Sequence, residues 1–130
     1  MFDKLEIFRM AQGLAQHAGA RQSTIAQNVA NADTPGYRAR DIASFGETYS
    51  TQSGDAMRAT RPGHLSSHQS GHQVGDAKSV YRPGAASPNG NNVSLESEMM
   101  AAAEVKRDHD MALTIYKTSL GIMRTSLGRR

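Results

Sequence analysis

"SLESEMMAAAEVKRDHDMALTIYKTSLGIMRTSL", residues 94–127, is the most regular stretch of the chain. Leu95, Met99, Ala102, Lys106, His109, Leu113, Tyr116, Leu120, Met123 and Leu127 follow one another at steps of four and three without a slip. A 3.5-residue repeat is the pattern of a helix that lays a seam against a supercoiled partner. Ser94 is suited to cap its start, and Glu96 and Glu98 fall in the first turn, where the helix dipole favours acids. Arg124 and Gly128 supply the opposite signals at the far end. Such a helix is about 50 Å long. Lys106 and His109 interrupt the seam. Polar residues at seam positions cost stability but fix register and partner choice.

A second long helix is predicted from about Asp3 to Asn31. Asp3 and Glu6 have capping-box spacing. Ile7, Ala11, Leu14, Ala18, Gln22, Ile25 and Val29 mark one face, with Gln22 as a polar interruption. Gly13 and Gly19 weaken this helix by about 1 kcal/mol each relative to Ala, a cost that close approach of another helix would explain. Two seams with no third element to cover them make an αα-hairpin with one face open, and an uncovered apolar stripe marks a partner surface. A homodimeric four-helix bundle would satisfy that pattern. So would ends that stay loose until they dock into a larger assembly.

Between the helices the character changes. All four prolines lie between residues 35 and 88, and eight of the twelve glycines between 36 and 90. Periodicity is absent there; short strands fit around 56–60 and 78–82. The fold class is therefore mainly α: long N- and C-terminal helices forming a coiled-coil hairpin, with an irregular Gly/Pro-rich middle segment that leaves room for short β-strands. The expected division is 1–33, 34–92 and 93–130, all one structural domain.

Composition excludes several functions. The chain of 130 residues has no Cys, no Trp and 5% aromatics, and its mean hydropathy is low at −0.56. Thiolate chemistry and disulfides are out. The net charge of +3 is mild and its arginines are dispersed, so no basic stripe for nucleic acid exists. No apolar run reaches transmembrane length, and charges at Asp3, Lys4, Glu6 and Arg9 break any signal-peptide core. His64, His68 and His72 share the spacing of one helical face. However, Pro62-Gly63 precedes them, Gly71 interrupts them, and no acid orients them. They read as loop histidines, with neither metal nor cofactor. No phosphate loop, nucleophile elbow or zinc-protease motif occurs, so no enzyme and no small-molecule substrate is expected.

The remaining unusual stretch is "NVANADTPGY", residues 28–37. Thr34 precedes a proline and is biased to extended geometry, so the helix must stop before it. Pro35-Gly36 suits the centre of a type II turn, where glycine supplies the positive φ. Asn31 tolerates the left-handed region and can end the helix there. Asn28, one turn earlier, is placed to bond a neighbouring chain. The whole stretch reads as a rigid exit from a long helix.

"NVANADTPGYRARDI", 28–42, resembles the A-N-x-x-T-P-G-Y signature of bacterial flagellar rod and hook proteins, through Asn28, Asn31, Asp33, Thr34, Pro35, Gly36 and Tyr37. "NNVSLESEM", 91–99, is similar to the start of the C-terminal helix in the proximal-rod member of that family, with Ser94 where Asp is usual. "RATRPGHL", 58–65, resembles its T-x-P-x-H-L piece. The resemblance implies a structural subunit of the proximal rod of the flagellar basal body, located in the periplasm. It further implies export by the flagellar type III system without a cleaved signal. The partners implied are copies of itself, the rod protein FlgC, the adaptor FliE and the export gate. The implied assembly seam comprises Ile7, Leu14, Ile25, Val29, Leu95, Met99, Leu113, Tyr116, Leu120, Met123 and Leu127. Two readings compete: another axial protein such as FlgC, against which "NNVSLESEM" argues, and a small His-dependent metal-binding protein.

Overall fold

The computed structural model describes residues 2–52 and 79–128, with side chains described for 6–49 and 79–128. Helix α1 spans Phe2–Ala30 and helix α3 spans Leu95–Ser126. Between them lie strand β1 (Arg40–Ile42), helix α2 (Phe45–Gln52) and strand β2 (Ser79–Tyr81). The long helices pack antiparallel. At one end the Phe8 and Tyr116 rings meet edge to face, 5.3 Å apart. At the other, the Asn28 side chain reaches Glu98. The molecule is thus the expected helical hairpin, and the strand predicted near 78–82 is β2.

Local signals account for the element ends. Ser94 accepts the Ser97 N–H and caps α3, as its residue type dictates. α1 begins at Phe2, so Asp3 lies inside the first turn rather than at the cap. At the other end of α1, the Asn31 N–H donates to the carbonyls of Gln27 and Asn28, and its side-chain amide donates to Gln27 at 2.8 Å. No non-glycine residue among those described has positive φ, so Asn31 ends the helix through its side chain and not in the left-handed region. Gly36 takes φ +73°, and the Tyr37 N–H closes the Thr34–Tyr37 turn at 3.2 Å, as the Thr-Pro-Gly-Tyr sequence predicts.

Three features went unread in the sequence. β1 pairs antiparallel with β2 in the register Arg40↔Tyr81, Asp41↔Val80, Ile42↔Ser79. α2 carries its own capping box: Ser44 Oγ accepts the Glu47 N–H while the Glu47 carboxylate accepts the Ser44 N–H. "SPNG", 87–90, forms a second tight turn, closed by the Gly90 N–H on Ser87. This turn stacks on the first. Gly36 N–H donates to Asn89, and a Cβ on Gly90 would lie 3.4 Å from the Gly36 Cα; both glycines have positive φ, which is what favours glycine at each. The strand expected near 56–60 and the histidines at 64, 68 and 72 lie outside the described residues.

Candidate assembly surface

α3 has two unlike faces. The inward face is Glu98, Ala101, Val105 and Ala112, at steps of three, four and seven. It meets Ala11, Ala18 and Ile25 of α1, and the centre of the contact is Ala18, Ile25, Ala101 and Val105 with Ala102 beside them. These residues are mostly small. Small residues allow close approach of two helices, but they bury little apolar area.

Polar groups make up the difference at the strand end of the hairpin. Glu98 is 1% exposed. One carboxylate oxygen accepts from Arg82 at 2.8 Å and the other from Asn28 at 3.2 Å. Arg82 also donates to Asp41 at 2.7 Å, and Arg21 donates to Asp41 through two nitrogens at 3.0 and 3.2 Å. A single chain of charges therefore links α3, the residue after β2, β1 and α1. Burial by itself would raise the Asp41 carboxyl; the hydrogen bonds from Arg21, Arg82 and the Ile42 N–H outweigh it and hold Asp41 below its ordinary value. The bond to Asp41 correspondingly raises Arg21.

The asparagines complete this clasp. Asn28 is fully buried and uses its whole amide: it donates to Arg40 O and Glu98, and accepts from the Arg40 N–H and the Tyr37 hydroxyl. Its bonds are internal, which corrects the expectation that it reaches a neighbouring chain. Asn91 donates to the carbonyls of Asn31, Ala32 and Thr34, at 3.0, 2.7 and 2.9 Å. It caps α1 from the other end of the sequence while its Oδ1 accepts the Val93 N–H. Asn92 accepts the Ala39 N–H and donates to Arg82 O, extending the strand pairing. Among the described residues, no buried side-chain polar atom lacks a hydrogen bond.

The outward face of α3 is the opposite. Leu95, Met99, Leu113 and Leu127 of the predicted seam are exposed, Met99 at 73% and Leu127 at 79%. Met111, Ile115 and Ile122 are exposed too, but on the other flank of the helix, about 160° or more round from Leu113, with Met100 between the two flanks. Between Leu113 and Leu127 the seam lies closer to α1: Tyr116, still partly exposed, touches Phe8, and Leu120 and Met123 are half-buried. A straight helix drifts by about 20° per heptad against a 3.5-residue repeat, which carries the seam round towards α1. On α1, Ile7 and Val29 are exposed, Leu14 is half-buried, and Ile25 faces α3 of its own chain. Ile25 therefore belongs to the hairpin core and not to the open surface. Among the described residues, no group of acids and histidines is arranged to hold a metal ion, and no helix is long and apolar enough to cross a membrane.

Comparison with known proteins agrees with the 28–37 signature. The family described as flagella basal body rod protein matches residues 8–38, which contain most of α1 and the turn after it. The chain is 31% identical to the flagellar basal body rod protein FlgB of Salmonella typhimurium, over 98% of this chain and 99% of that one. It is 28% identical to FlgB of Agrobacterium fabrum, over 88% and 87% of the two chains. A shorter match to FlgB of Escherichia coli reaches 51% identity over 43 residues, covering 32% of this chain and 31% of that one. The turn signature, the antiparallel terminal helices and end-to-end similarity converge: the chain belongs to the FlgB family of flagellar basal body rod proteins, structural subunits and not enzymes.

Proposed function

We propose that the chain builds the proximal rod, the inner-membrane end of the flagellar drive shaft, by packing its terminal helices against those of neighbouring copies. The observation that carries this reading is the pair of exposed apolar rows of α3, with Leu95, Met99 and Leu113 on one flank and Met111, Ile115 and Ile122 on the other. Residues 1–33 and 93–130 form the rod core in this reading, and 34–92 the middle segment. Asn28, Asn31, Asp33, Thr34, Pro35, Gly36 and Tyr37 hold the exit from α1 rigid, so that the outer residues of α1 and α3 meet neighbours at a fixed angle. Contact that repeats head to tail without closing yields a helical tube. Burial of the open row supplies cohesion at about 25 cal/mol per Å² of apolar area.

The resemblance supplies the finer setting: the periplasm, reached through the flagellar type III system without a cleaved signal, with FlgC, FliE and the export gate as further neighbours. Cryo-electron microscopy of basal bodies from cells that depend on this chain tests the reading. The expected density places α1 and α3 at the inner-membrane end of the rod, with Met99 and Leu113 against a neighbouring subunit. Density for a different protein there, or a solvent-facing outer row, would overturn it.

A further inference from the structure

A groove of about 560 Å³ runs along the hairpin, floored by Ala18 and Gly19 of α1 and Ala102 and Ala103 of α3, with Lys106 and His109 at its rim. A Cβ built on Gly19 meets nothing within 4 Å, so the hairpin itself does not fill this space. Elsewhere on the same molecule, the first turns of α3 project Leu95, Met99 and Met100, all more than half exposed, with exposed Glu96 among them. These four residues share one side of the helix, at i, i+1, i+4 and i+5. One surface thus offers holes under a basic rim, and the other offers long flexible apolar side chains beside an acid. Glu96 and Lys106 each lack an ion-pair partner among the described residues.

We infer that the groove of each subunit receives the Leu95–Met100 turns of α3 from a second copy of the chain, with Glu96 of the incoming helix set against Lys106. The inference rests on the rod reading above, which supplies many copies in repeated contact. The groove centres about eight residues further along α3 than the turns that enter it. Two parallel copies in this contact are therefore offset along the helix axis by about 12 Å, at 1.5 Å per residue. An offset contact joins unlike patches and repeats along the axis, as a filament requires. Methionine suits the incoming surface, because its unbranched thioether adapts to an irregular groove. The charge pair fixes register more than it adds affinity.

The chain has no cysteine, so an introduced pair reports without background. Cells producing only the Gly19→Cys, Met99→Cys double variant are to be oxidised and their basal bodies isolated. The expected result is a ladder of disulfide-linked copies, absent from either single variant. Basal bodies that contain the double variant but show no ladder would overturn the inference and leave the rod reading standing. Cross-linking to a different rod protein would overturn the choice of a second copy. Absence of the wild-type chain from basal bodies would instead remove the rod reading itself. A charge exchange gives an independent measure that needs no cross-link. Glu96→Lys and Lys106→Glu each reduce the swimming zone, and the double exchange restores it; a double variant no better than the worse single one would contradict the pairing.

Discussion

The two faces of α3 differ in what they ask of a neighbour. The inward face is built from Ala101, Val105, Ala112 and the buried acid Glu98, and every polar group on it is matched within the chain. The outward side carries Leu95, Met99 and Leu113 on one flank and Met111 and Ile122 on the other, all of them exposed. The inner contact is narrow and specific: small residues set close approach, and the clasp of Asn28, Asn91, Arg82 and Asp41 sets register. The outer contact proposed above is apolar and non-directional. A subunit of this kind can hold its own shape through polar geometry while keeping its main apolar area for assembly. The contrast also separates the effects of mutation, since inner-face changes act on the isolated chain and outer-face changes on the polymer.

The largest loss in the isolated chain is expected from Glu98→Ala. It removes one acceptor each from the Asn28 amide and the Arg82 guanidinium at the most buried point of the clasp, leaving Asn28 with Arg40 O and Arg82 with Asp41. Each lost hydrogen bond to the buried carboxylate costs about 1–3 kcal/mol, so thermal unfolding followed by circular dichroism should show a clearly lowered midpoint. An unchanged midpoint would mean that the hairpin does not depend on the clasp. Asn91→Ala comes next. It strips three carbonyls at the end of α1 of their common donor, at a cost of about 2 kcal/mol. Amide exchange should then accelerate in the last turns of α1 ahead of the rest of that helix.

Gly36→Ala is smaller again. A Cβ there meets no atom, so only the left-handed backbone is penalised, by about 1 kcal/mol. The midpoint should fall modestly, and a rise would show that the turn relaxes freely. Acid gives the mildest inner-face effect. Asp41 is held below its ordinary value in the fold, so its contribution is complete above the unfolded carboxyl value of about 3.9 and is lost as pH falls through the lower folded value. From this group, stability should be flat between neutrality and about pH 4 and decline below it. Asp41→Asn should remove that part of the decline; an acid profile identical to wild type would show that the Arg21–Asp41–Arg82 bridge does not contribute.

The sequence was most readable where a residue's role is local. The length of α3, its Ser94 cap and the Thr-Pro-Gly-Tyr turn each follow from neighbours a few positions away, and each is found. The seam follows the large residues; of these Leu95, Met99, Leu113 and Leu127 are exposed, while Leu120 and Met123 are half-buried. The inner contact lies one position over, on Glu98, Ala101 and Val105, because close-packed helices use small residues that hydropathy barely registers. The pairing of Arg21, Asp41, Arg82 and Glu98 spans much of the chain and has no period at all, so nothing local announced it. Asn28 looked like a surface amide for the same reason: its four partners lie at 37, 40 and 98. The missed helix α2 did carry a signal, the Ser44/Glu47 capping box, masked by Gly46 and by its eight-residue length.

The claim that the outer face is kept for other subunits is tested most directly by the double variant Met99→Asp, Leu113→Asp. Both side chains are exposed in the isolated chain, so the purified variant should unfold within about 0.5 kcal/mol of wild type. In cells, the same two carboxylates would have to be desolvated without partners at every subunit contact, a penalty of several kcal/mol each. The predicted result is a normally folded, non-assembling chain: wild-type melting together with loss of swimming and of rods from isolated basal bodies. Normal swimming by cells that carry only this variant would contradict the account.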